Sequence, residues 1–184
     1  MTEIRLEHVS YAYDNEKILE DINLQVTSGE VVSILGPSGV GKTTLFNLIA
    51  GILEVQSGRI ILDGEENPKG RVSYMLQKDL LLEHKTVLGN IILPLLIQKV
   101  DKAEAIAKAD EILATFQLTA VRDKYPHELS GGMRQRVALP RTYLFGHKLF
   151  LLDEAFSALD EMTKMELHAW YLDIHKQLGL TTLI

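Results

Sequence analysis

Polar and apolar residues alternate through "EIRLEHV" (3–9) and "INLQV" (22–26), the two-residue period of half-buried strands, with "DNEK" (14–17) and "TSGE" (27–30) as turns. "VVSIL" (31–35) has one polar residue and predicts a strand buried on both faces. A glycine-rich turn follows, then a predicted helix over 42–50 with Gly51 as its stop. "RIILDG" (59–64) and "VSYML" (72–76) predict two further strands around the turn "EENPKG" (65–70). From 78 to 129 the period becomes helical. In "DKAEAIAKADEILATFQL" (101–118) Asp101 and Glu104 form a capping signal, and Ile106, Ala109, Leu113 and Phe116 recur at helical spacing. Strand character returns at "KLFLLDE" (148–154), and a long helix over 160–178 carries His175 and Lys176 in its last turn, with Gly179 beyond it. "TTLI" (181–184) reads as the opening of a buried strand, which predicts backbone groups left without partners. The chain is thus expected to be α/β: a core split between 1–79 and 137–184, an N-terminal antiparallel β subdomain, and a helical subdomain inserted at 80–136.

Composition narrows the chemistry. The 184 residues are 46% hydrophobic and 24% charged, which suits one good core or a core with a small subdomain. A net charge of −6 with no dense basic tract argues against a nucleic-acid partner. There are no cysteines, so disulfides, thiol catalysis and zinc–cysteine sites are excluded, and the six histidines do not fall at ligand spacing. "MTEIRLEHVS" (1–10) is too charged for a signal peptide, and "NIILPLLI" (90–97) is too short to span a bilayer and is broken by Pro94. A soluble cytosolic chain, with any membrane role exerted through a partner, is the expectation.

"GPSGVGKTT" (36–44) lies between a predicted strand and a predicted helix, the context a phosphate-binding loop requires. Its nine residues are Gly36, Pro37, Ser38, Gly39, Val40, Gly41, Lys42, Thr43 and Thr44. Glycines let the backbone curl until successive N–H groups point at phosphate oxygens, and the helix N-terminus adds its dipole. Lys42 can reach the β- and γ-phosphates and the Thr43 hydroxyl can hold Mg2+. The ordinary alternative is a glycine-rich turn with Lys42 in solvent. "LFLLDE" (149–154) ends an apolar strand in two carboxylates that alternation would send apart, so Asp153 can hold Mg2+ while Glu154 polarises an attacking water. A P-loop NTPase (RecA-like) core follows from the two elements together.

"LSGGMRQR" (129–136) offers a second anion site, with Ser130 as N-cap and Gly131 and Gly132 expected to leave N–H groups exposed at a helix start. Two such sites suit two copies packed head to tail around two ATP molecules. In order along the chain, these motifs resemble the nucleotide-binding subunits of ATP-binding cassette (ABC) transporters. The resemblance makes "GPSGVGKTT" the P-loop, "LSGGMRQR" the signature, "LFLLDE" the Walker B strand with Glu154 as catalytic glutamate, and "SALD" (157–160) the D-loop. It makes Gln77 the Q-loop glutamine that senses Mg2+ and the attacking water, and Tyr13 the aromatic that stacks on adenine, with Tyr11 a competitor on the same strand face. It implies ATP and Mg2+ as cofactors, and a homodimer in which Ser130, Gly131 and Gly132 act on the opposite subunit's nucleotide. It also implies a membrane permease contacted after Gln77, an extracytoplasmic solute-binding protein, and a place on the cytoplasmic face of the membrane. "ENPKGRVSYMLQKDLLLEHKTVLGNIILPL" (66–95) is most similar to importers of the nitrate, sulfonate and taurine type.

Two departures from the family pattern matter. Pro140 stands inside the signature helix, where it cannot donate to the Arg136 carbonyl, and predicts a kink or break near Leu139. The strand "TTLI" would continue in the family to a switch histidine and further elements. Their lack implies a C-terminally truncated subunit, expected to bind ATP and hydrolyse it poorly or not at all. The alternatives are a nucleotide-binding module without catalysis and a soluble ABC-type ATPase of DNA repair. Against the latter, Gln77 and Leu129 lie too close in sequence for coiled-coil arms.

Overall fold

The structure is a computed structural model, and it describes residues 2–14, 16–156 and 159–184. In chain order its elements are β1 (Ile4–Tyr13), β2 (Glu16–Val26), β3 (Val31–Val32), α1 (Lys42–Ile49), β4 (Ser57–Leu62), β5 (Glu65–Glu66) and β6 (Ser73–Met75). There follow α2 (Val87–Ile91), α3 (Leu93–Ile97), α4 (Lys102–Thr115), α5 (Gly131–Tyr143), β7 (Leu149–Leu152), α6 (Glu161–Leu178) and β8 (Thr181–Leu183). The chain divides into two compact units, one of Met1–Tyr74, Lys148–Asp153 and Leu178–Ile184, the other of Met75–His147 and Glu154–Gln177.

The first unit holds two sheets. The antiparallel sheet, ordered β2-β1-β4-β5, matches the alternation of the first thirty residues, although both leading strands run longer than their alternating cores. Asn15, in the expected turn "DNEK", lies outside the described residues. The expected turn at 65–70 instead contributes β5, a short strand against β4. Alternation along β1 is interrupted by register shifts between Leu6 and Val9 and again up to Ala12. At the first of these His8 takes φ +52° and faces Asp21, Nδ1 to Oδ1 at 2.7 Å.

The second sheet is ordered β3-β8-β7-β6, with β3, β8 and β7 parallel. Every residue of β7 and β8 is buried, and Leu149, Leu151 and Leu183 join Ile4, Leu6, Val9, Phe46, Leu48 and Ile49 in one apolar core. Burial of β3 on both faces is not observed: Leu35 is 91% exposed and Val31 is exposed as well, because β3 is an edge strand with β8 as its sheet neighbour. Nor does β8 lack partners. It is bonded on both sides, through Thr182 N–H to Glu30 O (2.8 Å) and Ile184 N–H to Val32 O (3.0 Å) toward β3, and Thr181 N–H to Lys148 O (2.9 Å) toward β7.

In the second unit the expected helices form. Asp101 caps α4 by accepting from the Ala103 and Glu104 amides, and Ala105, Ala109 and Leu113 are its buried face, with Ile106 half-buried at its margin. Phe116, just past the helix, packs on Trp170 of α6, whose Nε1 donates to its carbonyl at 3.3 Å. Pro94 sits in the first turn of α3, where the missing N–H removes no helical bond. Pro140 does not break α5, which is continuous from Gly131 to Tyr143. Its neighbours Val137, Ala138 and Leu139 are all fully buried, so packing holds a helix that local propensity opposes. Pro140→Ala is therefore expected to raise stability in urea unfolding by about 1 to 2 kcal/mol. That is less than the full penalty of about 3 kcal/mol for an interior proline, because Pro140 is itself buried and alanine leaves part of its space empty.

Candidate functional site

In the first unit, residues 36–40 form an exposed loop that leads through the half-buried Gly41 into α1. Gly41 is the N-cap of α1 with φ +104°, and among the described residues no side chain caps that helix, which suits its first turn to an external acceptor. The loop is tight. A Cβ at Gly36 would lie 2.9 Å from Val40 Cγ1, and one at Gly41 2.8 Å from Ile18 Cγ2. Lys42 Nζ folds back over this loop and donates to the carbonyls of Gly36 (2.8 Å) and Pro37 (3.0 Å). Thr43 is exposed beside it and Thr44 is buried. This is a curled backbone with a cation over it and a helix dipole beneath it, an arrangement that attracts polyanions.

Asp153, just past β7, belongs to the same unit and is 5% exposed. Its Oδ2 accepts from the Tyr74 hydroxyl at 3.1 Å. Burial, with the Asp153 charge and that hydrogen bond, pushes the Tyr74 phenol well above its ordinary value. The ring of Tyr74 meets Phe46 of α1 edge-on, centroids 6.3 Å apart. Asp153 and Glu154 do not diverge by strand alternation as the sequence suggested. The strand ends at Leu152, and Glu154 takes φ +49°, so a left-handed turn leaves Asp153 buried and Glu154 exposed.

Tyr13 is 44% exposed at the end of β1, and its ring meets the half-buried Tyr11 edge-on at 4.9 Å. The two rings touch, so the register shifts in β1 leave both tyrosines at one place on the antiparallel sheet.

The second unit holds Gln77, Glu154 and the signature residues. Gln77 Nε2 lies 3.5 Å from Glu154 Oε2, the outer limit of a hydrogen bond. Gln77 O accepts from Gln135 Nε2 at 3.1 Å, which fastens the Gln77 backbone to α5. Ser130 caps α5, its hydroxyl accepting from Met133 N at 3.3 Å. Gly131 is exposed but Gly132 is buried, and a Cβ there would lie 2.8 Å from Thr163 Cγ2 of α6. Ser130, Gly132, Met133, Arg136, Thr163 and Glu166 line a cavity of about 190 Å³ at this helix start. Within the expected D-loop, Ser157 and Ala158 lie outside the described residues. Asp160 caps α6 by accepting from Thr163 N–H at 3.0 Å and from its hydroxyl at 2.6 Å.

Three features escaped sequence reasoning. Tyr74 was read as a strand residue, and its contact with Asp153 joins positions far apart in sequence. Arg134 reaches Asp79 (Nε to Oδ2, 2.9 Å) and Glu83 (2.7 Å), while Arg141 donates to the carbonyls of Leu80 (2.7 Å) and Asp79. Burial acts to raise the Asp79 carboxyl, but Arg134 and the Leu81 N–H outweigh it and hold it below its ordinary value. Asn90 is fully buried and binds the backbone of residues 82–86. Only an asparagine inside an apolar run could have signalled it.

Residues 19–157 match the family model described as ABC transporter. The chain is 38% identical over 190 residues to the sulfate/thiosulfate import ATP-binding protein CysA of Neisseria meningitidis, covering 98% of this chain and 53% of that protein. It is 43% identical over 173 residues to the ABC transporter ATP-binding protein YtlC of Bacillus subtilis, covering 91% of this chain and 66% of that one. The chain thus spans about half the length of the first of these relatives. The solved structure of cbiO1 from Clostridium perfringens, part of the ABC transporter complex cbiONQ, superimposes with a TM-score of 0.90 at 29% identity over 98% of this chain and 76% of that one. Among the described residues no helix is long and apolar enough to cross a membrane.

Proposed function

The chain belongs to the ABC transporter family, and on that premise we propose that it binds ATP through its glycine loop as the energy-supplying subunit of an importer. The observation that carries this reading is the loop itself: uncapped first-turn amides of α1, with Lys42 held over the Gly36 and Pro37 carbonyls. Those carbonyls are weaker partners than a phosphate, so Lys42 exchanges them for β- and γ-phosphate oxygens when nucleotide arrives. The amides of Gly39, Val40, Gly41, Lys42, Thr43 and Thr44 cradle the phosphate chain, with Gly36, Pro37 and Ser38 shaping the entry to the loop. Tyr13, the more exposed of the touching pair, supplies the stacking face for adenine.

The residues also fit Mg2+. Among the described residues no cluster of three His, Cys, Asp or Glu side chains offers a dedicated metal cage. In the first unit a hydroxyl (Thr43) and a carboxylate (Asp153) are the sparse oxygen donors that suit a cation held largely by phosphates and water. When bound, Mg2+ neutralises charge on the β- and γ-phosphates. Glu154 orients and polarises the attacking water, and its contact with Gln77 couples that carboxylate to the segment proposed to meet a permease. Ser130, Gly131 and Gly132 contact the nucleotide of a second copy in a head-to-tail homodimer. The permease anchors the subunit to the cytoplasmic face of the membrane, with an extracytoplasmic solute-binding protein completing the system. Sulfate and thiosulfate are the cargoes named for the CysA relatives alone.

Calorimetric titration of the chain with ATP tests the reading. Lys42→Ala is expected to weaken binding at least about 10-fold, the loss of one charge-assisted phosphate contact. Unchanged affinity in that variant would remove the loop from nucleotide binding. Where phosphate release accompanies binding, Glu154→Gln should reduce it at least about 100-fold, as expected for loss of a general base.

A further inference from the structure

We propose that Tyr74 is a positioning residue for Asp153: its hydroxyl fixes one carboxylate oxygen so that the other is presented to the nucleotide's divalent cation. This inference rests on the reading of Asp153 as a cation ligand given above. Four observations lead to it. The Tyr74 hydroxyl donates to Asp153 Oδ2 at 3.1 Å, and among the described residues it is the partner of that carboxylate. Asp153 is 5% exposed, so solvent does little to hold its orientation, and a neighbouring donor decides it. Asp153 follows β7 rather than lying in it, so strand pairing does not fix its backbone. Finally, the Tyr74 ring packs edge-on against Phe46 of α1, the helix that the glycine loop opens. One side chain therefore touches both the carboxylate and the helix of the phosphate loop, and holds the first at a defined place relative to the second.

A carboxylate with one oxygen engaged by a phenol keeps one oxygen for a cation and loses freedom to rotate between them. Partners of this kind, in contact with a ligand but not with the ion, typically change metal affinity by about 10- to 100-fold when removed. Tyr74→Phe deletes the hydroxyl and keeps the ring against Phe46, so the packing contribution stays constant.

The test is the dissociation constant of ATP for the full chain, measured with Mg2+ and with EDTA, alongside melting temperature. Wild-type chain should bind ATP more tightly with Mg2+, and Asp153→Asn should remove that increment. Tyr74→Phe should cut the increment about 10-fold while leaving the EDTA affinity as in wild type, with a modest fall in melting temperature because a buried carboxylate loses its donor. A wild-type increment in Tyr74→Phe would overturn the inference and leave the site reading intact. A parallel loss of EDTA affinity would also overturn it, since the contact would then be merely structural. Absence of any Mg2+ increment in wild type would sink the reading of Asp153 and this inference with it.

Discussion

Gly41→Ala is expected to reduce ATP affinity by more than about 100-fold and to destabilise the chain by about 2 to 4 kcal/mol. The backbone at Gly41 sits at φ +104° and ψ 9°, well outside the left-handed well near φ +57° that an L residue can occupy with strain. The added methyl also has no room. It would stand 2.8 Å from Ile18 Cγ2, 3.1 Å from Leu19 Cδ2 and 3.3 Å from the Ile18 carbonyl. Side-chain shifts can relieve the first two contacts, but not the third, which is backbone. Relief must come from the loop, and Gly41 is both the N-cap of α1 and the last residue before Lys42, so moving it displaces the amides and the ammonium together. Gly39→Ala is the internal control. It shares a positive φ, +84°, but its Cβ would meet nothing within 4 Å, so it carries strain without collision. Titration calorimetry and thermal melts of both variants should rank Gly41→Ala well below Gly39→Ala. Equal affinities in the two would mean that the close approach to β2 does not set the loop.

The elements carrying chemistry were legible because each is local. A loop such as 36–44 needs its glycines, lysine and threonine in consecutive places, and Ser130 and Asp101 cap the helices that follow them immediately. What could not be read is what tertiary structure decides. Strand burial at 31–35 failed because an apolar run does not say whether its strand is central or at an edge, and β8 took the central place. The separation of Asp153 from Glu154 was anticipated for the wrong reason, since a left-handed turn, invisible in residue types, replaces strand alternation there. Pro140 was weighed by its local penalty alone, yet the buried neighbours that hold α5 together come from the rest of the unit. Gly132 shows the same blindness: a glycine expected to bare an amide is also required by the approach of Thr163. The Arg134 contacts with Asp79 and Glu83 span more than fifty positions, a distance over which charge patterning gives no register.

Asn90→Ala is expected to destabilise the chain by about 2 to 4 kcal/mol, the largest effect foreseen for a residue that touches no proposed ligand. Its amide nitrogen donates toward the carbonyls of Leu82 (3.1 Å), Lys85 (3.1 Å) and Thr86 (3.0 Å), and its oxygen accepts from Leu82 N–H at 2.7 Å. Some of these groups have second partners: Lys85 N–H also reaches Leu82 O, and Asn90 N–H also reaches Thr86 O. Truncation therefore strands chiefly the Leu82 amide and the Lys85 carbonyl, and opens a cavity at a position with no exposed surface. Asn90→Asp separates hydrogen bonding from volume. It keeps the shape and the acceptor for Leu82 N–H, but turns the donor into an oxygen facing three carbonyls. At neutral pH it should be at least as damaging as alanine, because a buried carboxylate replaces a neutral amide. Its folded-state pKa must then lie above the unfolded value, so the protonated acid restores one donor below the unfolded pKa. That contribution is lost as pH rises through the folded pKa. Urea unfolding of Asn90→Asp should accordingly show stability relative to wild type that improves as pH falls from 7 toward 5, while Asn90→Ala shows no such trend. A flat profile for Asn90→Asp would mean that the three carbonyls find other donors, and that Asn90 fills space rather than tying the segment that runs from Gln77 into α2.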